Sequence, residues 1–123
     1  MDIFKDWLRS QGIRFEEIGM GVGFKYQGGG FIIPHHKNDR QFCQILMPNI
    51  DEVNFLNKAK AFDTINKLNI ENKCLKAILV NDSSIWLSVE LFMDSTPDLD
   101  DFMDRYLNLL LQSRMEYYTL MRE

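Results

Sequence analysis

The chain ends in one long amphipathic segment, and this segment limits the folds that the sequence can adopt. Thr96 can cap a helix, Pro97 suits its first turn, and acidic residues follow at positions 98, 100 and 101, where the helix dipole favours negative charge. A helix from Pro97 to about Arg122 would be roughly 38 Å long. A compact domain of this chain length is only about 35 Å across, so the helix must span or overhang its own domain.

Apolar side chains occupy more of this helix than one contact with a sheet requires. One stripe is sufficient to cover a sheet, and it comprises Leu99, Phe102 or Met103, Tyr106 and Leu110. Other apolar residues fall wholly or partly outside it: Leu107, Leu109, Leu111 and Tyr118. Another subunit or a protein partner would cover this second side, although the first helix packing across the last would also do so. The residues of this helix that we predict to contact a partner are Tyr106, Leu107, Leu111 and Tyr118.

Six segments before the final helix have the alternation or the short apolar runs of β-strands. They are residues 13–18, 22–27, 31–33, 42–47, 73–80 and 84–93. We expect the three glycines at 28–30 to form a tight reversal, and Pro34 and Pro48 to end the third and fourth strands. Cys43 and Cys74 fall in strand-like runs, so we interpret both as small buried residues.

Two further helices are predicted. The first begins at Asp2 and ends before Gly12, which suits a helix C-terminus. The second is capped by Asn49 or Asp51, ends near Asn69 and has an apolar stripe of Val53, Phe55, Leu56, Ala59, Phe62, Ile65 and Leu68. The element order is α-β-β-β-β-α-β-β-α with short antiparallel connections, which predicts an α+β fold with helices packed on one face of the sheet.

The sixth strand carries apolar residues on both of its faces. One face is fully apolar and comprises Ile85, Leu87, Val89, Leu91 and Met93. The other face alternates polar residues with Trp86 and Phe92. Since a solvated face does not need large aromatic residues, we predict that Trp86 and Phe92 bind a partner.

Length and charge exclude several classes of protein. A chain of 123 residues fits a single α+β domain over 1–123. Its 14 basic residues are scattered and outnumbered by 18 acidic ones, so we expect no nucleic-acid partner. The N-terminus lacks the pattern of a signal peptide, and the apolar runs are too short to cross a bilayer. We therefore expect a cytoplasmic protein with no membrane partner.

Candidate catalytic and metal-binding residues are few. His35 and His36 are adjacent and would point to opposite sides of an extended backbone, while Asp39 and Cys43 follow nearby. Asp94, Asp98, Asp100, Asp101 and Asp104 match no calcium loop and suit the start of a helix. The glycines at 19, 21 and 23 fit a hairpin better than a phosphate loop, because no helix follows them. We expect no enzyme activity, no metal and no cofactor.

The chain resembles the YbjN-type family, which shares the type III secretion chaperone-like fold. The resemblance is carried by the helix end at 62–69, the strand at 73–80, the turn at 81–83, the strand at 85–93 and the acid-led final helix. The N-terminal helix end at 7–12 is similar in style. The resemblance implies helices on one side of an antiparallel sheet, frequent dimers and no catalytic residues. Type III chaperones of this fold bind extended segments of client proteins.

These observations favour a non-enzymatic protein-interaction or chaperone-like module, expected to be a homodimer that binds a protein client through exposed apolar surface. The alternative is a small-molecule-sensing domain with a pocket between sheet and helices, lined by Phe24, Tyr26 and Trp86. A third class, a hydrolase or metal enzyme, depends only on the grouping of His35, His36, Asp39 and Cys43.

Overall fold

The computed structural model describes residues 2–36, 41–93 and 98–123. Within these ranges the elements follow one another as α1 (Asp2–Ser10), β1 (Phe15–Ile18), β2 (Gly21–Tyr26), β3 (Gly29–Pro34), β4 (Phe42–Glu52), α2 (Lys58–Glu71), β5 (Leu75–Val80), β6 (Ser84–Phe92) and α3 (Leu99–Arg122). This order confirms the predicted one. None of the helices in these ranges has the length and apolar content that a bilayer crossing needs.

The six strands form one antiparallel sheet in the order β1-β2-β3-β4-β6-β5. Short turns join β1 to β2, β2 to β3 and β5 to β6, while α2 lies in the connection from β4 to β5. The predicted α+β class is therefore confirmed.

One face of the sheet forms the core with the helices. Strand residues that alternate toward this face are buried: Val22, Phe24, Phe31, Ile33, Cys43, Ile45, Met47, Leu75, Ala77, Ile85, Leu87 and Val89. They join the buried residues of all three helices in one apolar cluster. The predicted packing of helices on one face is thus confirmed.

The hairpin between β2 and β3 turns earlier than predicted. Gln27 and Gly28 have φ values of 47° and 80°, which suit a two-residue type I′ turn. Gly29 instead belongs to β3 and is buried, and a Cβ there would come within 2.8 Å of Met47 Cε and 2.9 Å of Leu111 Cδ2. The ends of these two side chains therefore pack directly over the glycine, and the predicted reversal over 28–30 is wrong by about one residue.

Strand β4 continues beyond the proline that was expected to end it. Its pairing with β6 shifts register between Met47 and Asp51, and Asn49 has a φ of 49°. A bulge accommodates a proline because the bulged residues do not need a complete ladder. Asn49 and Asp51 therefore lie in a strand, and the prediction that one of them caps α2 is wrong.

Helix α2 begins at Lys58 with Asn57 as its N-cap residue and continues to Glu71, past the expected end at Asn69. Its buried face comprises Ala61, Thr64, Ile65 and Leu68. Because the helix starts later than predicted, Phe55 and Leu56 precede it, and Phe62 lies on its exposed side. The predicted stripe was therefore correct for Ile65 and Leu68. It was wrong for Phe62 and Ala59, which are exposed on α2, and for Phe55 and Leu56, while Val53 is buried but lies before the helix.

Helix α3 is 24 residues long, about 36 Å at 1.5 Å per residue. Its N-cap is Asp98, whose side chain accepts a hydrogen bond from the Asp101 amide at 3.5 Å. The predicted cap Thr96 and first-turn Pro97 lie outside the described residues. The long amphipathic helix predicted from the sequence is present, and it begins at Leu99 rather than at Pro97.

Helix α1 packs against α3, which is the alternative that the sequence left open. The indole Nε1 of Trp7 donates a hydrogen bond to Asp100 Oδ1 at 3.0 Å, and Phe4, Trp7 and Leu8 are buried. The contact covers part of the N-terminal half of α3 within a single chain.

Candidate interaction surfaces

The second face of the sheet, called here the open face, carries no helix among the described residues. Cross-strand pairs assign its residues, because opposite partners in an antiparallel ladder project to the same side. The pairs Ile32 with Leu46 and Trp86 with Ile78 lie on it. Leu46 is nevertheless buried, and Trp86 and Ile32 are half-buried. Apolar side chains therefore cover the middle of the open face.

An aromatic cluster lies at one end of the open face. Phe42 and Phe92 are a cross-strand pair with ring centroids 5.7 Å apart, and His36 makes an edge contact with Phe42 at 4.8 Å. Phe92 is 72% exposed. The prediction that the second face of β6 displays apolar surface is consistent with this placement.

A row of polar side chains crosses the open face beside this cluster. His36 Nε2 is hydrogen-bonded to Gln44 Oε1 at 3.0 Å, and Gln44 Nε2 donates to Glu90 Oε1 at 2.8 Å. Lys76 Nζ reaches the same carboxylate oxygen at 3.4 Å. The row connects β4, β6 and β5, and it separates the aromatic cluster from the apolar area around Trp86.

A second exposed apolar surface follows helix α2. It comprises Phe55, Leu56, Phe62 and Ile70, exposed by 86%, 79%, 48% and 75%, and we call it the α2 stripe. Within α2, positions 59, 62, 66 and 70 have the three- and four-residue spacing of a helix–helix seam, and Phe55 and Leu56 lie in the turn just before the helix. Monomeric proteins rarely expose large apolar residues in one contiguous patch. The stripe is therefore a candidate contact surface.

Charged residues border the α2 stripe along one side of the helix. Lys60, Asp63, Lys67 and Glu71 occupy consecutive positions of one line on the helix surface, and all four are exposed. Their signs alternate as positive, negative, positive, negative. If two copies of α2 pair antiparallel, Lys60 comes opposite Glu71 and Asp63 comes opposite Lys67. The border of the stripe is thus complementary to itself.

The six residues predicted from sequence to bind a partner do not form one surface. Trp86 lies in the middle of the open face, whereas Phe92 and Tyr106 both line a separate cleft of about 280 Å³. Tyr106 is half-buried, and its ring lies 5.0 Å from that of Phe102. Burial raises the pKa of the Tyr106 phenol.

The other three predicted residues pack into the protein. Leu107 is fully buried and belongs to the core, so the prediction that it lies outside the core-facing stripe is wrong. The buried apolar stripe is Met103, Leu107, Leu110 and Tyr117; it shares Met103 and Leu110 with the predicted stripe and has Leu107 in place of Tyr106. Leu111 is half-buried over β3, and half-buried Tyr118 donates a hydrogen bond to the Ile50 carbonyl at 2.6 Å. Much of the apolar circumference of α3 is therefore covered within the chain.

The histidine and cysteine candidates are separated by the sheet. His36 contacts Gln44 on the open face, while Cys43 pairs with Leu91 on the core face. Burial raises the pKa of the Cys43 thiol to about 12, and such a thiol is a poor nucleophile at neutral pH. His35 is exposed and its amide donates to the Met20 carbonyl, while Asp39 lies outside the described residues. The structure does not bring His36 and Cys43 together.

Three of the acidic residues at the start of α3 have local partners, while Asp104 is exposed. Asp98 caps the helix, Asp100 accepts from Trp7, and Asp101 forms an ion pair with Arg105 at 3.8 Å. Asp94 lies outside the described residues. Across the described part of the chain, no three or more His, Cys, Asp or Glu side chains are grouped as metal ligands would be.

A cavity of about 590 Å³ lies over β2 and β3. Its floor includes Gly23 and Gly30, and a Cβ added to Gly30 would meet nothing within 4 Å. Phe24 lines the cavity, but Tyr26 and Trp86, the other residues predicted for a pocket, do not. The cavity exists because these two strand positions have no side chains.

Comparisons with known proteins concern the fold. No family model matches the sequence, and no curated protein matches it. The crystal structure of YbjN from E. coli, described as a candidate transcription regulator, aligns with a TM-score of 0.65 at 14% identity, over 98% of this chain and 87% of that one. An uncharacterized protein from Methanothermobacter thermautotrophicus aligns at 0.67 and 15% identity, over 98% and 95%. The chain therefore has a YbjN-like fold, which confirms the resemblance seen in the sequence.

Sequence reasoning missed the α2 stripe because it assigned Phe55, Leu56 and Phe62 to the core. A signal was present in the sequence. The positions 61, 64, 65 and 68 form a second stripe of small and apolar residues, including a threonine. Two competing stripes on one helix indicate one buried and one exposed apolar face, and the larger residues occupy the exposed one here.

Proposed function

We propose that this chain is a non-enzymatic protein-interaction module that associates with a second copy of itself through the α2 stripe and holds a protein client on its open face. The observation that carries the proposal is the exposure of four large apolar residues, Phe62 and Ile70 on α2 and Phe55 and Leu56 in the turn just before it. Burial of such residues contributes roughly 1.5–3 kcal/mol each. A partner surface is the simplest means of burying them.

A second copy of the chain is the occupant favoured by charge. An interface between two identical patches must be complementary to itself under a two-fold rotation. An antiparallel α2 pair meets this condition, since Lys60 would face Glu71 and Asp63 would face Lys67 of the other copy. A partner with a single sign of charge would match only half of this border.

The dimer is tested by light scattering coupled to size-exclusion chromatography. We expect Phe62→Glu and Ile70→Glu each to give a monomer, because a carboxylate would be buried in the seam. Met115→Glu is the matched control, since Met115 is also exposed on a helix but lies on α3. A strict monomer of the wild-type chain at high micromolar concentration would exclude the dimer.

Charge exchange provides a second test that does not depend on removing apolar surface. Lys67→Asp alone places two acids opposite each other in the antiparallel pair and should weaken association. Combining it with Asp63→Lys restores opposite signs and should restore association. Equal behaviour of the single and double variants would show that α2 does not pair antiparallel in this register.

The open face is proposed as the client surface. It offers an apolar area with Trp86, Ile32 and Ile78, next to the aromatic cluster of Phe42 and Phe92. We expect Trp86→Ser and Phe92→Ser to reduce the capture of a protein from native lysate while leaving the α2 dimer intact. Met115→Ser serves as control, and equal capture by all four chains would exclude the open face.

The cavity over β2 and β3 supports a second candidate function, the binding of a small amphipathic anion. Its lining combines apolar residues with two cationic side chains, Arg14 and Lys25, and one acidic side chain, Glu16. Neither Arg14 nor Lys25 has an ion-pair partner among the described residues, so the cations outnumber the acid. A medium-chain fatty acid is a suitable probe. We expect it to raise the melting temperature of the wild type more than that of Gly30→Leu, whose side chain would project into the cavity and take up part of it. No shift of the wild type would exclude this function.

A further inference from the structure

Strand β5 is the last strand of the sheet on its side, next to β6. An edge strand presents unpaired backbone N–H and C=O groups, and these groups attract strands from other molecules unless something covers them. Strand β5 is six residues long and mostly apolar, so an open β5 edge would be a strong site for pairing. Whether the chain associates through this edge therefore depends on which groups cover it.

The side chain of Asn69 covers the middle of the β5 edge. The Ala77 amide donates to Asn69 Oδ1 at 2.7 Å, and Asn69 Nδ2 donates to the Ala77 carbonyl at 3.0 Å. One carboxamide thus makes the two hydrogen bonds that one residue of an added strand would make. Asn69 lies in the last turns of α2, and the fold brings it alongside β5.

The alternation of an antiparallel ladder shows which other groups face outward. Because both polar groups of Ala77 turn to Asn69, the neighbouring residues Lys76 and Ile78 direct theirs to β6. The outward groups of β5 therefore belong to Leu75, Ala77 and Leu79. A strand added to this edge would form hydrogen bonds to Leu75, Ala77 and Leu79 in turn. The polar groups of Ala77, the central residue of the three, are already bonded to Asn69.

We propose that Asn69 is an edge plug: it closes β5 to strand addition, and without it β5 becomes a pairing surface for β5 of a second copy. In the antiparallel pair centred on Ala77, Leu75 would face Leu79 of the other copy, and two six-stranded sheets would join into one. The proposal depends on Asn69 and Ala77 alone and does not rest on the α2 dimer or on the open face.

Two variants remove the plug in different ways. Asn69→Ala deletes both hydrogen bonds. Asn69→Asp keeps the shape, but its ionised carboxylate has no proton for the Ala77 carbonyl and repels that oxygen. A protonated aspartic acid donates and accepts as asparagine does, so low pH should restore the plug in this variant. Asn108→Ala is the matched control, since Asn108 is an exposed asparagine on α3 with no side-chain hydrogen bond among the described residues.

Amide hydrogen exchange measured by NMR tests the plug itself. We expect the Ala77 amide to exchange roughly tenfold faster in Asn69→Ala than in wild type, the effect of losing one hydrogen bond. The Lys76 and Ile78 amides, which bond to β6, should keep their rates, and all three amides should keep theirs in Asn108→Ala. An unchanged Ala77 rate in Asn69→Ala would overturn the proposal, while acceleration of all three amides would show general destabilisation and would also overturn it.

Light scattering tests the pairing surface. The measurements are made in the Phe62→Glu background, so that association through the α2 stripe cannot mask the result. We expect Asn69→Ala and Asn69→Asp at pH 7.5 to form larger species with rising concentration, and Asn69→Asp to lose them near pH 4, where its carboxyl gains a proton. Failure of both variants to associate more than the Phe62→Glu chain would overturn the proposal. Such a failure would not contradict the proposals that α2 forms a dimer and that the open face binds a client.

Discussion

The Oη atom of Tyr117 donates a hydrogen bond to Asp51 Oδ2 across 2.7 Å, and this bond joins the buried side of α3 to the irregular part of β4. The next residue, Tyr118, bonds to the carbonyl of Ile50. Two neighbouring tyrosines on the helix therefore hold two neighbouring residues of the bulged strand. The bulge is where β4 passes Pro48 and Asn49, so these bonds stabilise the part of the sheet that has the least regular pairing.

Tyr117→Phe is expected to lower the free energy of unfolding by about 1–3 kcal/mol, because it removes a hydrogen bond to a carboxylate from a fully buried position. Urea denaturation near pH 7 measures this change. Tyr26→Phe is the control, since the Tyr26 hydroxyl only accepts from the exposed Gln27 side chain at 3.3 Å. Equal effects of the two substitutions would show that the bond to Asp51 does not contribute.

The same residue predicts a dependence on alkaline pH. Burial, and then the neighbouring Asp51, raises the pKa of Tyr117 above its ordinary value. The unfolded phenol titrates near pH 10, so the contribution is complete below that pH and is lost as pH rises toward the folded pKa. The stability difference between wild type and Tyr117→Phe should be constant up to about pH 9 and shrink above pH 10. A difference that stays constant to pH 11 would contradict the raised pKa.

Leu107→Ala should be among the costly substitutions in α3, at about 2–5 kcal/mol, because the side chain is fully enclosed and its removal leaves a cavity. Met115→Ala should stay within about 0.5 kcal/mol, since Met115 is 53% exposed on the same helix. Thermal and urea unfolding of the two variants measure the contrast. A small loss of stability in Leu107→Ala would contradict the burial of this side chain in the core and would favour the prediction that it contacts a partner.

Two glycines in the first half of the sheet should respond oppositely to alanine. A Cβ on Gly21 would lie 2.1 Å from the backbone oxygen of Ile33, whereas one on Gly30 would meet nothing within 4 Å. Gly21→Ala should cost about 1–3 kcal/mol or more through displacement of β3. Gly30→Ala should be neutral or stabilise by up to about 1 kcal/mol, because it lowers the entropy of the unfolded chain. Similar effects from both would contradict the close approach at Gly21.

The two thiols should differ in reactivity. Cys43 is buried, with a pKa raised to about 12, while Cys74 is exposed just before β5, which corrects the expectation that both are buried. A colorimetric thiol reagent should titrate one cysteine in the native protein and both in denaturant. Cys74→Ser should leave no rapidly reacting thiol. Rapid reaction of Cys43 in that variant would mean that β4 opens readily.

Prediction from the sequence was most successful where periodicity alone decides the result. In β6, Ile85, Leu87 and Val89 were assigned to the core and are buried. Prediction was less successful where the result depends on the residue at which a strand or helix begins or ends. Pro48 was expected to end β4, and the strand continues through a bulge, so α2 starts several residues later. This displacement is the reason that Phe55 and Phe62 were placed in the core although they lie at the surface.

The sequence alone determined the element order, the antiparallel α+β class and the YbjN-like resemblance, because turn residues and apolar periodicity act locally and each element carries its own pattern. Only the tertiary structure decided which side of α2 and α3 is covered. A helix with two apolar sides has no local preference between them, and the choice depends on what lies opposite. One side of α3 is buried because Leu111 packs over Gly29 and because Tyr117 and Tyr118 form hydrogen bonds to the bulged part of β4. One side of α2 is buried in the same way, since Asn69 forms hydrogen bonds to the edge of β5.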